Sequence, residues 1–322
     1  MNWKYYLKCR WWHWLVNLPF GDRLYINIKR LLRKYPHRWS VSDARFCEAE
    51  RYRDTFASYG RKPISDAVVL EFGAGYDLFI TMCLASFGFK RIYSVDRVNW
   101  AMADALNFAA ENVKKRTAFP EPFSGKFDRS NFRHNLSTFY NIEFLAPTDA
   151  RNVDIPDASV DYVFANAVLE HIPRDVLIAI LKECRRLLPP EGILAFTIDY
   201  RDHCRDGKSI SPYYFLRFTE KEWKRMYPPD GHNRMRHVDF GELFEELGFD
   251  VLHEQAETPF GKGEWTMESP EQLIRELKTM QIAEDFAGYP LEDLAVLGGF
   301  WVLRNNNTVK TMEFIETAAA TQ

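Results

Sequence analysis

Val68-Val69-Leu70-Glu71-Phe72 runs directly into Gly73-Ala74-Gly75, and no other stretch limits the fold of this chain as much. A short apolar run that stops at glycine reads as a buried strand followed by a tight turn. The two glycines let the backbone turn sharply and bring its peptide groups against a ligand without Cβ interference.

The pattern then repeats. Helix is expected over 77–87, strand over Arg91–Val95, helix over 99–116, and strands at Ile142–Leu145 and Val160–Ala165. A helix over 173–188 is stopped by Pro189-Pro190-Glu191-Gly192, and a fifth strand follows at Ile193–Ile198. An amphipathic helix over 239–247, a strand at Phe249–His253, a helix over 270–282 and a last apolar strand at Leu294–Leu303 complete the series. Strands alternating with helices predict an α/β fold: a Rossmann-like, seven-stranded, mainly parallel sheet with helices on both faces.

Composition decides little else. A net charge of −3 over 322 residues gives no reason to expect nucleic acid. The five cysteines, at 9, 47, 83, 184 and 204, show no zinc-like spacing, and their odd number fits reduced thiols. Cys83 and Cys184 fall within apolar helical patterns and are expected in the core. No apolar run approaches the roughly 20 residues of a spanning helix, and the N-terminus lacks a signal-peptide core, so a cytoplasmic location is expected.

Residues 1–60 differ from the rest: Trp3, Trp11, Trp12 and Trp14 crowd one end, and Arg23, Lys29, Arg30, Arg33, Lys34 and Arg38 follow. They are expected to form a helical cap on a domain spanning 61–305. Peripheral membrane contact through residues 1–38 is the other reading, although apolar and basic residues do not separate onto two faces. Insertions are expected at 117–140 and 201–236, and 306–322 reads as a loose tail. Oligomeric state leaves no mark in the sequence.

A dinucleotide fingerprint would want a third glycine at position 78, where this chain has Leu78. A pyrophosphate needs that glycine-rich helix start; a ligand without phosphates does not. Glu71 offers an acceptor to a cationic or amine-bearing ligand, and Asp96, at the end of the second strand, can accept both hydroxyls of a ribose.

In this combination the chain resembles the class I S-adenosylmethionine-dependent methyltransferases. The resemblance is carried by Glu71-x-Gly73-x-Gly75, Asp96, Thr148-Asp149-Ala150, the stretch Asp161 to Ile172 containing Asn166, Glu170 and His171, and Leu181 to Gly192. It covers about 64–200 and departs from the family at Pro190-Glu191-Gly192, where Pro-Gly-Gly is usual. It implies that Glu71, Gly73 and Gly75 hold the methionine end of S-adenosylmethionine, that Asp96 grips the ribose, and that Asp149 and Ala150 meet the adenine. It also implies that Asn166 stands near the sulfonium, and that His171 lies close to the cofactor without doing proton chemistry.

Methyl transfer from a sulfonium is an in-line displacement, and a hydroxyl acceptor must also lose a proton. Asp199-Tyr200-Arg201-Asp202-His203 follows the fifth strand, where strand ends face substrate. His203 is the candidate general base, with Asp199 or Asp202 orienting it. The same group could instead hold a divalent metal. Further on, Tyr213 and Tyr214 could stack on a sugar ring, while Arg217, Arg234 and Arg236 could pair with phosphate or carboxylate. This layout looks like methyltransferases of carbohydrate and cell-surface polysaccharide pathways. The expectation is O-methylation of a saccharide or similar hydroxylated small molecule. N- or C-methylation, a nicotinamide oxidoreductase and a non-catalytic scaffold are the alternatives.

Overall fold

The computed structural model describes residues 2–19, 21, 24, 27–28, 31, 43–117, 125–205, 210–228, 231–259 and 269–306. The basic residues Arg23, Lys29, Arg30, Arg33, Lys34 and Arg38, and all but the first residue of the 306–322 tail, lie outside them.

Seven strands form one sheet: β1 (Val68–Phe72), β2 (Arg91–Val95), β3 (Ile142–Leu145), β4 (Tyr162–Asn166), β5 (Ile193–Asp199), β6 (Phe249–Glu257) and β7 (Gly298–Asn305). The order is β3-β2-β1-β4-β5-β7-β6; β1 to β5 pair in parallel, and β7 lies antiparallel between β5 and β6. The Rossmann-like expectation is met. The chain leaves β1 for β2 on one side and returns to β4 on the other, so a crevice opens at the carboxyl ends of β1 and β4.

The helices are α1 (Trp3–Val16), α2 (Asp43–Tyr59), α3 (Phe79–Ser86), α4 (Ala103–Arg116), α5 (Phe132–Tyr140), α6 (Arg174–Leu187), α7 (Glu220–Met226), α8 (His237–Glu246) and α9 (Pro270–Thr279). On one face of the sheet, Tyr52 and Phe56 of α2 pack with residues of α3, α4 and α5. There Phe56 stacks on Tyr162 of β4, with ring centroids 4.6 Å apart. On the other face, Leu177, Ile180, Leu181 and Cys184 of α6 join Phe240, Leu243 and Phe244 of α8. Cys83 and Cys184 are buried as expected. A third apolar cluster lies apart from these layers: Tyr5 and Cys9 of α1 meet Tyr213, Tyr214, Phe215, Trp223 and Leu273.

Several boundaries differ from the sequence reading, and three of them are instructive. Helix α4 begins at Ala103 rather than at 99, because the Met102 amide bonds the Tyr76 carbonyl and holds the preceding turn open. The last strand begins at Gly298: Leu294 closes a single helical turn at Leu291–Leu294, Ala295 and Val296 are buried beyond it, and Leu297 bonds Glu257 and Tyr200 just ahead of the paired run. Apolarity there reflects burial, not a strand. Finally, β6 runs on to Glu257 past an irregularity between Val251 and His253.

Helix α1 keeps Tyr5, Cys9 and Leu15 inside and leaves Trp3, Leu7 and Trp14 largely exposed. Among the described residues, no helix is long and apolar enough to cross a membrane.

Candidate active site

The turn after β1 is built from backbone. Gly73 has φ of +84° and Gly75 has φ of +68°, a region in which side chains are rarely tolerated. A Cβ on Gly73 would stand 2.4 Å from Val168, in the turn that follows β4; one on Gly75 would meet nothing. Gly73 is therefore a close-packing glycine, and Gly75 presents bare peptide to open space. That space is a cavity of about 380 Å³, lined by Glu71, Gly73, Gly75, Asn166, His171 and Arg45 among others. Its size falls within the range of small-molecule sites.

Two carboxyls flank the loop. Glu71 is buried, and its Oε2 accepts hydrogen bonds from Thr81 Oγ1 (2.6 Å) and Ser94 Oγ (2.5 Å). Burial pushes it up to about 6, with the two hydroxyls holding it back. Asp96 accepts from the Gly75 amide (3.1 Å) and the Val98 amide (2.9 Å), so it is locked to the glycine turn. Burial raises it too, against those same bonds.

The loop fits S-adenosylmethionine on these observations: open space above Gly75, a buried acid with one oxygen committed, and a second acid fixed beside the turn. Asp149 stands differently. It is half exposed and accepts from the Arg151 guanidinium on both oxygens, which holds its carboxyl low. An adenine amine would share those oxygens with Arg151. Ala150 packs partly buried against the α6 face of the core.

Some residues reach the site from outside the glycine motif. Arg45 of α2 spans Asp77 with two bonds (2.7 and 3.0 Å) and lines the cavity. Tyr52 places its hydroxyl 2.9 Å from Thr197 Oγ1 and 3.3 Å from Asn166 Oδ1. Arg45 and Tyr52 sit among other charged and aromatic residues of one helix, and no spacing marks them. Their role depends on how α2 lies across the sheet.

A second cluster adjoins the first. His203 Nε2 lies 3.7 Å from Asp199 Oδ2, within ion-pair reach but too far for a good hydrogen bond. The His203 ring centroid is 4.7 Å from that of His171 and 5.1 Å from that of His232. Glu170 is buried, and neither of its oxygens has a hydrogen-bond partner among the described residues. Burial, then the charge of Asp199, pushes it well above the ordinary carboxylate range.

Several expectations are corrected here. Asp202 does not orient His203. It is buried, its Oδ2 accepts from the Tyr5 hydroxyl (2.6 Å) and its Oδ1 accepts from the Cys204 amide (2.7 Å), so it anchors α1. Tyr213 is fully buried and donates to the Ala295 carbonyl (2.9 Å). Arg236 is fully buried and donates to the carbonyls of Tyr200, Leu294 and Val296. Arg234 donates to the Phe218 carbonyl (2.6 Å) and pairs with Glu220. A buried guanidinium binds whatever carbonyls surround it, and these three side chains are already taken up in packing. Tyr214 is also mostly buried, its hydroxyl accepting from the Asn2 amide (2.8 Å). Arg217 alone of the five is exposed, its guanidinium over the Tyr214 ring.

A family profile described as a methyltransferase domain matches residues 43–254, well over half of the chain. The chain is a class I S-adenosylmethionine-dependent methyltransferase. No curated protein matches this methyltransferase in sequence. Among solved structures, a SAM-dependent methyltransferase from Methanosarcina mazei is 15% identical, with 78% of this chain and 96% of that one covered at a TM-score of 0.44. The phosphoethanolamine N-methyltransferase 2 of Haemonchus contortus, in complex with phosphomonomethylethanolamine and S-adenosylhomocysteine, is also 15% identical. There 84% of this chain and 54% of that one are covered at a TM-score of 0.45.

Proposed function

We propose that this methyltransferase O-methylates a hydroxylated small molecule such as a saccharide; the support is the Asp199–His203 corner, since Tyr213, Arg234 and Arg236 are committed to packing. The observation that carries the reading is the adjacency of two kinds of site. His171 belongs to the wall of the glycine-loop cavity, and His203 with Asp199 stands directly behind it.

When bound, S-adenosylmethionine supplies an electrophilic methyl group on a sulfonium. Glu71 and the Gly73–Gly75 backbone would hold its methionine end, Asp96 its ribose, and Asn166 would lie near the sulfonium. The protein's own task is to align an oxygen with that methyl and to help the oxygen lose its proton. In this reading His203 activates the hydroxyl, with Asp199 stabilising positive charge on the imidazole. Neutral amines and carbon nucleophiles need no such group, which is why the polar corner favours oxygen. The α1–α2 region acts as a cap on a catalytic domain spanning 61–305, with α2 contributing Arg45 and Tyr52 to the site.

The test is incubation with methyl-labelled cofactor and a panel of saccharides, polyols, phenols and amines, followed by mass spectrometry. Gain of one methyl unit on a hydroxyl compound is expected; label accumulating only on amines would overturn the oxygen assignment.

A further inference from the structure

We infer that the outer face of α1 docks on an anionic membrane surface, with the helix lying in the interface rather than crossing the bilayer. Its outward stripe is made of large apolar side chains. Trp3, Leu7 and Trp14 are 64%, 54% and 59% exposed, and with the exposed Arg10 they recur at i, i+4, i+7 and i+11. At about 3.6 residues per turn those four positions span roughly 60° of arc. Tyr5 and Cys9, on the other side of the helix, are fully buried in the cluster that holds Phe215 and Trp223. Apolar and basic residues fail to separate along α1 because the helix is apolar on two sides. One packs on the protein, and the other is left facing out.

The exposure is local to this end of the chain. Of the large apolar side chains exposed among the described residues, Phe139 alone lies outside residues 3–31. An ordinary protein surface scatters such residues singly, whereas a concentration of them marks a contact surface.

Charge decides which kind of surface. Residues 1–38 hold nine lysines and arginines against Asp22 alone, a net of +8; the whole chain is −3, so residues 39–322 carry −11. A layer of anionic headgroups attracts the end that bears the apolar stripe and repels the remainder. Cations also border the stripe in the structure. Lys4 is exposed, with Nζ 5.9 Å from the centre of the Trp3 ring. Arg217 is exposed over Tyr214, whose hydroxyl accepts from the Asn2 amide at the start of α1. Arg225 is exposed on α7, and its carbonyl accepts from Arg10 (2.7 Å). Tryptophan among basic side chains is a composition that settles at headgroup depth. A protein partner is a poorer match, because lysine is depleted where protein surfaces meet.

The face is held ready for docking. Tyr5 bonds Asp202 (2.6 Å), Lys8 Nζ donates to the Cys204 carbonyl (2.7 Å), and the His13 ring bonds the Tyr227 carbonyl (2.7 Å). A helix already formed and fixed incurs little ordering cost on binding. None of the stripe residues lines the cofactor cavity, so the inference stands whether or not the acceptor reading holds.

The experiment is flotation of the full-length protein with vesicles of phosphatidylcholine, either alone or with about a third of phosphatidylglycerol. Association with the anionic vesicles should be tighter by about tenfold or more. The double variant Trp3→Ala/Trp14→Ala should lose about tenfold of that binding, with circular dichroism and S-adenosylhomocysteine affinity near wild type. Failure to float with either vesicle, equal binding to both, or unchanged binding by the variant would each overturn the proposal. So would an oligomer that the same substitutions dissolve in the absence of vesicle binding, which would give the face to a second copy of the chain. Should the variant fail to fold, the tryptophan emission of the wild type decides. Quenching by brominated acyl chains in anionic vesicles is expected, and unquenched emission would rule out insertion of the stripe.

Discussion

The glycine loop after β1 and the segment from Asp199 to Arg236 both stand at the carboxyl end of the sheet, yet they are made in opposite ways. The loop works through backbone: Gly75 faces open space and two acids are tied to the turn or to neighbouring hydroxyls. The later segment works through side chains, and most of those already have partners within the protein. Tyr213, Arg234 and Arg236 tie that segment to itself and to the turn before β7, and among the described residues it is the Asp199–His203 corner that adjoins His171 of the cavity wall. A pocket of peptide groups is fixed by local sequence; a pocket of long side chains is fixed by whatever packs around it.

The sharpest way to test that contrast is His203→Ala. If the corner does chemistry, turnover should fall by about 100-fold or more, the usual worth of an acid–base or electrostatic group, while cofactor affinity is unchanged. Single-turnover kinetics with bound cofactor would read this directly. Unchanged turnover would make the corner structural like its neighbours.

Arg236→Ala should show the converse. Its guanidinium serves three carbonyls in the interior, and removing it leaves them without donors. A loss of about 3 kcal/mol in unfolding free energy is expected from breaking a buried charged network. Urea unfolding measures it, and S-adenosylhomocysteine affinity at a temperature where the variant is folded should be near wild type. A variant as stable as wild type that fails to bind acceptor would restore Arg236 to the substrate site.

Tyr5→Phe asks the same of the N-terminal cap at smaller scale. The Tyr5 hydroxyl donates to the buried Asp202, whose carboxyl is pushed up to about 6 by burial against that bond. Removing a hydrogen bond to such a group should cost about 1.5–3 kcal/mol and loosen α1 first. Hydrogen exchange across 3–16 would show the loss confined to that helix. Uniformly faster exchange would mean that the cap and the sheet unfold as one unit.

The same division explains what the sequence made legible. The placement of strands and helices along the chain, and the glycine turn after β1, follow from apolar periodicity and from glycines at fixed positions, and these are local signals. Leu294–Leu297 misled because burial under a cap and burial in a sheet leave the same apolar run. Asp202 misled because acid, acid and histidine within five residues looks like one site, whereas the chain turns Asp199 toward His203 and Asp202 toward Tyr5. Glu170 lay in plain view within the family motif, but its lack of partners is a property of packing that no spacing encodes. Arg45 and Tyr52 were illegible for the reason given above: a helix from outside the βα repeat supplies them.

The smallest expected effect bears on the loop itself. Glu71 titrates near 6 in the folded protein, raised by burial. Ionised Glu71 attracts the ammonium of a bound methionine moiety, and protonated Glu71 does not, so cofactor affinity should fall as pH drops through that value. Between pH 7.5 and 5.5 the ionised fraction falls about fourfold, and the dissociation constant should rise by about the same factor. The sign for stability is opposite: a carboxyl raised above its unfolded value favours the protonated folded state, so the unliganded protein loses stability as pH rises from the ordinary carboxylate range to about 6. Calorimetric titration with S-adenosylhomocysteine, which keeps the amine, separates the two. Glu71→Gln should bind more weakly at pH 7.5 with a flat profile, and an unchanged slope in that variant would assign the pH dependence to another group.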